Sequence, residues 1–297
     1  MILQFYITNT CNLTCPGCVS FNNFAISGHD SYDETIMKKW SSTVNATDIC
    51  IIGGEPFANR DLHKWVDGML EHFPNVQDKK LTTNGTMLGK NIENCVDWIS
   101  RGLILEVTVH DPAHKSDILH NIAKIANHFD YKKSGRIVQF FKRLFNYQGN
   151  YPDYYNSYNE IYFVNNAPAI LVQYTYGWQH WGVNDKFEFY DSDPHAAHET
   201  CIFSNCHHVY NGKLYKCPFI LGAQTFVEKY PVPEYQKKLV QDYQPIDPDD
   251  AQGIANLHRT IPQCSLCPVR CDDPRQEVKL YPMRKKKIAV DSVDITV

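Results

Sequence analysis

Apolar positions along the first 130 residues fall into two alternating rhythms. Short apolar runs at 3–8, 48–52, 80–83 and 103–109 read as strands, the last built mostly of branched residues. Between them lie stretches with helical spacing. Ser31-Tyr-Asp-Glu34 has the pattern of a capping box and opens a helix expected to reach about Val44. Leu62, Trp65, Met69 and Phe73 fall in phase within 60–73, and Ile118, Ile122 and Ile125 within 115–129. A further helix is expected over 89–100. This βαβα order predicts a parallel sheet or barrel covered by helices.

The pattern then loosens. Residues 135–146 read as a strand followed by a basic-aromatic helix, and 147–160, with five tyrosines among Asn, Asp and Pro, as a loop. Residues 169–176 read as a strand, and the aromatic trio Trp178, His180 and Trp181 beyond it reads as packing or a pocket rim. Polar sequence near 185–197 suggests a boundary, dividing the chain into 1–195 and 196–297. Beyond it, 207–216 forms a hairpin around Asn211-Gly212. The Pro- and Asp-rich stretch 231–262 is expected to hold one amphipathic helix.

Hydrophobic residues make up 43% of the 297, enough for a sizeable core, and the formal net charge of −4 offers no basic field for nucleic acid. The basic run Arg284–Lys287 reads as a solvated tail. No stretch approaches the roughly 18 apolar residues of a membrane helix. The opening residues lack the basic and apolar regions of a signal peptide, so the cytoplasm is the expected compartment.

Eleven cysteines change the picture, because in a reducing compartment clustered cysteines point to metal or catalysis. Cys50 and Cys95 stand alone and read as core residues. Cys11-Asn-Leu-Thr-Cys15-Pro-Gly-Cys18 follows the first strand directly. Three thiolates in one loop can hold three irons of a cubane and leave the fourth open to a small molecule, since such clusters usually take four cysteines. A zinc site lacking its fourth ligand is the competing reading.

The array resembles the signature of the radical S-adenosylmethionine (radical SAM) superfamily. Gly53-Gly54-Glu55-Pro56, about thirty-five residues after the third cysteine, is similar to the family's GGEP element. Thr82-Thr83-Asn84-Gly85 and Glu106-Val-Thr108-Val-His110 are similar to its next two strand ends. The resemblance implies a partial (β/α)6 TIM-like barrel and a 4Fe-4S cluster on Cys11, Cys15 and Cys18 that binds S-adenosylmethionine. Gly53, Gly54, Glu55, Pro56, Asn84, Thr108 and His110 are then candidate cofactor contacts, with Glu55 facing the methionyl ammonium. Gly17 departs from the aromatic residue common before the third cysteine; Phe21 or Phe24 is the candidate substitute beside the adenine.

The distal cysteines, Cys201, Cys206, Cys217, Cys264, Cys267 and Cys271, are too few for two fully ligated clusters and too many for one. With a two-residue turn, Cys206 lies opposite Cys217. The arrangement resembles the SPASM and Twitch extensions of radical SAM enzymes, which implies a small α+β domain with one auxiliary 4Fe-4S cluster. Cys217, Cys264 and Cys267 are its leading ligands, Cys201 and Cys206 compete for the remaining place, and Cys271 is the reserve. Zinc is the alternative, with His207 and His208 available to it or else lying on the surface.

The family reaction is reductive cleavage of S-adenosylmethionine, followed by hydrogen abstraction from a substrate by the 5′-deoxyadenosyl radical. A peptide or protein side chain is the leading substrate class, and dehydrogenation of a sugar or aminocyclitol alcohol is the second. A non-catalytic metal-binding or electron-transfer protein is the reading from a different class. A flavodoxin or ferredoxin is the electron donor the resemblance implies. No catalytic acid or base stands out.

Overall fold

The computed structural model describes residues 1–15, 18–22, 28–135, 159–175, 183 and 187–269. A nine-stranded sheet organises them: β1 (Ile2–Tyr6), β2 (Asp48–Ile52), β3 (Asp78–Thr83), β4 (Ile104–Val109), β5 (Tyr131–Gly135), β6 (Glu160–Val164), β7 (Ala167–Tyr174), β8 (Cys206–Tyr210) and β9 (Lys213–Tyr215). Their spatial order is β5-β6-β7-β4-β3-β2-β1-β8-β9. From β7 to β8 every pairing is parallel, while β5, β6 and β9 add antiparallel rims.

Four helices alternate with the first strands: α1 (Glu34–Thr43), α2 (Leu62–His72), α3 (Ile92–Ser100) and α4 (Lys115–Ala126). They cover one face of the sheet. Leu3, Phe5, Ile7, Ile49, Ile51, Leu81, Leu105, Val107 and Val109 point into that layer against Trp40, Trp65 and Ile122. Because strand side chains alternate, Tyr6, Thr8, Cys50, Thr82, Glu106 and Thr108 lie on the other face. The cap of α1 differs from the expected box: Asp33, not Ser31, accepts from the Thr35 N–H, and the helix begins at Glu34. Asp33 stands one residue before the helix with extended backbone, where an N-cap carboxylate reaches the free N–H groups.

The segment from residue 187 builds a second core. Helices α5 (Pro194–Glu199), α6 (Pro218–Lys229), α7 (Glu234–Gln241) and α8 (Ala251–Ala255) are its regular elements, and Phe189, Phe219, Phe226 and Val240 gather around Phe21. The hairpin falls where the sequence places it, with Asn211 and Gly212 both at positive φ, as a type I′ turn requires. It does not stand alone. β8 pairs in parallel with β1, Ile2 beside Cys206 and Gln4 beside His208, and Trp40 Nε1 donates to the Gly212 carbonyl. Among the described residues, no helix is long and apolar enough to cross a membrane. The expected helix within 135–146, the tyrosine loop up to 158, Trp178, His180, Trp181, Cys271 and the basic run at 284–287 lie outside the described residues.

Candidate functional site

The three N-terminal cysteines follow β1 at its C-terminal end, where parallel α/β sheets place ligands. The backbone after β1 continues the ladder to the turn after β2. Ile7 N–H donates to Ile52 O, Gly54 N–H to Thr8 O, and Glu55 N–H to Thr10 O. The two glycines are needed for this approach: a Cβ on Gly53 would stand 2.7 Å from Thr8 O, and one on Gly54 2.4 Å from Thr10 O. Their bare faces meet the backbone leading into the cysteine loop, so Gly-Gly at 53–54 fits the chain to itself before it fits any ligand.

Glu55 is fully buried. Its carboxylate accepts from the Phe57 N–H (3.1 Å), the Thr83 hydroxyl (2.8 Å) and the Asn84 N–H (2.8 Å). Burial pushes its pKa up to about 7 against these three donors. The side chain expected to face a ligand ammonium thus ties the end of β2 to the end of β3, because three donors of the protein converge on it. Pro56 opens a single 3₁₀ turn capped by the same carboxylate.

Asn84 follows β3 and is buried. Its Nδ2 donates to Cys11 Sγ (3.8 Å) and Asn12 Oδ1 (2.9 Å), and its Oδ1 accepts from the Thr86 N–H and hydroxyl. Thr108 is buried on the sheet face away from the helices, and His110 lies just beyond β4 with Nδ1 3.3 Å from the Thr175 carbonyl. Burial lowers the pKa of His110. Phe21 is not available to stack on a ligand: it holds φ 54° and is buried against Phe219 and Phe226. Phe24 lies outside the described residues.

Each loop thiol is pushed up in pKa by burial, Cys11 to about 11 and Cys15 to about 12. In the free protein these groups are neutral at pH 7, and metal binding must displace their protons. Asn22 Nδ2 donates to Cys18 Sγ (3.8 Å), a contact the sequence reading missed.

The distal cysteines converge as well. A cavity is lined by Cys201, Cys217, Cys264 and Cys267, together with Lys216 and His198. Cys201 follows α5, Cys217 precedes α6, and the other two sit in and after a 3₁₀ turn, Pro262–Leu266. Cys206 lies outside that wall. It is buried, and burial above all raises its thiol pKa, with Cys50, Cys217 and Glu106 adding to the rise. Lys216 is buried, its ammonium donating to the Leu257 carbonyl. Neither Lys216 nor His208 drew attention as a buried group in the sequence. His207 and His208 are 3% and 1% exposed, since β8 has β1 on one side and β9 on the other.

Among the described residues, only Glu34, Glu71 and His72 bring three ligand atoms within 4.8 Å of one another. Among the described cysteines, no three sulfurs lie within 4.8 Å of one another.

Residues 3–113 match the family model of the 4Fe-4S single cluster domain. This chain resembles the radical SAM enzymes. Solved structures similar to it include BtrN in complex with AdoMet and 2-DOIA (24% identity, 37% of this chain and 45% of that one, TM-score 0.31). Another is anSMEcpe with bound AdoMet and Cp18Cys peptide (17%, 42% and 39%, TM-score 0.33). A third is Streptococcus suis SuiB bound to precursor peptide SuiA (12%, 42% and 36%, TM-score 0.27). The chain spans less than half the length of each. No curated protein matches the chain.

Proposed function

We propose that this radical SAM relative binds a 4Fe-4S cluster through Cys11, Cys15 and Cys18 and cleaves S-adenosylmethionine there. The supporting observation is the locking of the cysteine loop onto the turn after β2, with Gly54 and Glu55 donating to Thr8 and Thr10. When bound, the cluster and its cofactor supply a 5′-deoxyadenosyl radical that takes a hydrogen from the substrate. The protein's part is to fix three thiolates while leaving one iron free of protein ligands. In this reading Gly53–Pro56, Thr108 and His110 border the cofactor from neighbouring strand ends, and Glu55 and Asn84 hold those ends together. In this reading residues 1–195 make up the partial (β/α)6 barrel, and β8 adds a further parallel strand beside β1 from beyond residue 195.

Residues 196–297 carry a second 4Fe-4S cluster in this reading, on Cys201, Cys217, Cys264 and Cys267. Four thiolates of one cavity, with the Lys216 ammonium beside them, suit a cluster of net negative charge. The substrate class is a peptide or protein side chain, with a flavodoxin or ferredoxin supplying the electron. The polar face bearing Cys50, Thr82, Glu106 and Thr108 suits a group that exchanges hydrogen bonds, and Thr82 already donates to Glu106.

Anaerobic reconstitution with iron and sulfide tests both sites. Wild type should bind about eight irons per chain, and Cys217→Ala or Cys267→Ala about four, while Cys206→Ala keeps all eight. With dithionite and S-adenosylmethionine, wild type should yield 5′-deoxyadenosine and Cys15→Ala none. Full iron loading with no 5′-deoxyadenosine from wild type would leave a metal-binding or electron-transfer protein as the better reading.

A further inference from the structure

The geometry points to Asn84 as a positioning residue that tunes the N-terminal cluster through the Cys11 sulfur, rather than as a contact to the cofactor. This rests on the proposal that Cys11, Cys15 and Cys18 hold a cluster.

The orientation of the Asn84 amide is fixed. The Thr86 N–H can only donate, and it lies 3.0 Å from Asn84 Oδ1. The NH₂ group must therefore face the other way, toward Cys11 Sγ at 3.8 Å and Asn12 Oδ1 at 2.9 Å. Asn12 closes the ring by donating its own NH₂ to the Thr86 hydroxyl (2.7 Å). Both amide hydrogens of Asn84 are used, one of them on a cluster ligand, and its oxygen already takes two donors. That leaves little hydrogen-bonding capacity for a bound molecule.

A donor aimed at a thiolate favours the more negative state of whatever that thiolate binds. Hydrogen bonds to the sulfurs are among the factors that set iron–sulfur potentials. The Asn84 NH₂ dipole would stabilise the negative charge that a bound cluster would gain on one-electron reduction by an external reductant. Asn22 does the same from the far side of the loop, donating to Cys18 Sγ. Asn84 arrives from the end of β3, whereas Asn22 lies within the loop, so the two donors are independent.

The test is a potentiometric titration of the reconstituted full chain, read by EPR, with the signal of this cluster identified by its loss in Cys15→Ala. Asn84→Ala should reduce the ratio of reduced to oxidised cluster at fixed poise about three- to tenfold, tenfold being 59 mV for a one-electron couple. Asn84→Asp, which sets a carboxylate against the thiolate, should reduce it further. Asn22→Ala should act in the same direction, and it carries the test if the Asn84 variants fail to hold iron. A brace without tuning would lower iron occupancy yet leave the midpoint of the loaded fraction unmoved, and that result overturns the inference while the cluster itself stands. A wild-type protein that binds no iron at this loop removes both.

Discussion

His208 shows what a single residue costs when a strand is covered on both edges. It is 1% exposed, stacks on Tyr6 with ring centroids 5.6 Å apart, and has neither ring nitrogen bonded to a described group. Burial pushes its pKa down to about 3, and that of neighbouring His207 to about 4. Between those values and the ordinary 6.5, the unfolded chain binds more protons than the folded one, so stability falls as pH drops through this window. At pH 5 each histidine should contribute a loss of about 2 kcal/mol relative to neutral pH. His208→Phe keeps the ring stacked on Tyr6 and removes the proton site. Its thermal midpoint should therefore fall less than that of wild type between pH 7 and pH 5; equal falls would show that His208 does not titrate in the unfolding reaction. The sequence could not reveal this burial. A His-His pair on a hairpin looks like surface, and only the parallel pairing to β1 encloses it. The cysteines, by contrast, stand out in the sequence one by one as candidate ligands, because ligand chemistry is written in residue type and spacing. The choice between Cys201 and Cys206 was not. Cross-strand pairing sets Cys206 opposite Cys217, yet Cys201 and not Cys206 lines the cavity with Cys217.

At the scale of elements, the strands and helices of the first 130 residues were readable because each has one buried face, and its period survives in the sequence. Helix α6 was not. Pro218-Phe-Ile-Leu-Gly-Ala buries nearly every side chain, so no polar stripe marks it as a helix. Its Gly222 is pressed against Phe21, where a Cβ would come 2.6 Å from the ring. The short strand β6 was also missed, since it follows the loop-like tyrosine stretch and pairs only with β5 and β7. The most restrictive contact between elements is at Gly54. Gly54→Ala forces a methyl group onto Thr10 O, with a cost of about 1–3 kcal/mol in stability. The cysteine loop must shift to admit it, and the N-terminal cluster should be lost while the distal one stays. Urea unfolding and iron analysis would show this as a lowered midpoint with about four irons retained; full iron content would mean that the loop adapts.

Across the whole molecule, the two cysteine groups are joined through one sheet. β1 leads into the first, β8 and β9 lie beside the second, and β1 and β8 are hydrogen-bonded neighbours. Val209 and Leu214 from the hairpin enter the same core as Trp40 and Phe5. Val209→Asp places an unpaired charge in that core, a change that costs several kcal/mol. It should release iron from both sites together, whereas a cysteine variant empties one. Loss of only the distal irons would show that the hairpin can detach without disturbing β1. The sequence suggested a break near residue 195 because the composition turns polar there. It held no sign of parallel pairing across such a distance, since pairing partners leave no local mark.

That pairing has a consequence for synthesis. β1 ends at Tyr6, and its neighbour β8 begins at Cys206, about 200 residues later. While the chain grows from the ribosome, β1 can take β2 as a partner early, but its other edge stays bare until the chain has emerged past Tyr210. Contacts this far apart in sequence are slow to form, and open strand edges invite pairing with other chains. The loop proposed to bind iron thus grows from a strand that is among the first made and among the last to be enclosed, so iron delivered before β8 arrives would meet a site with one flank still open.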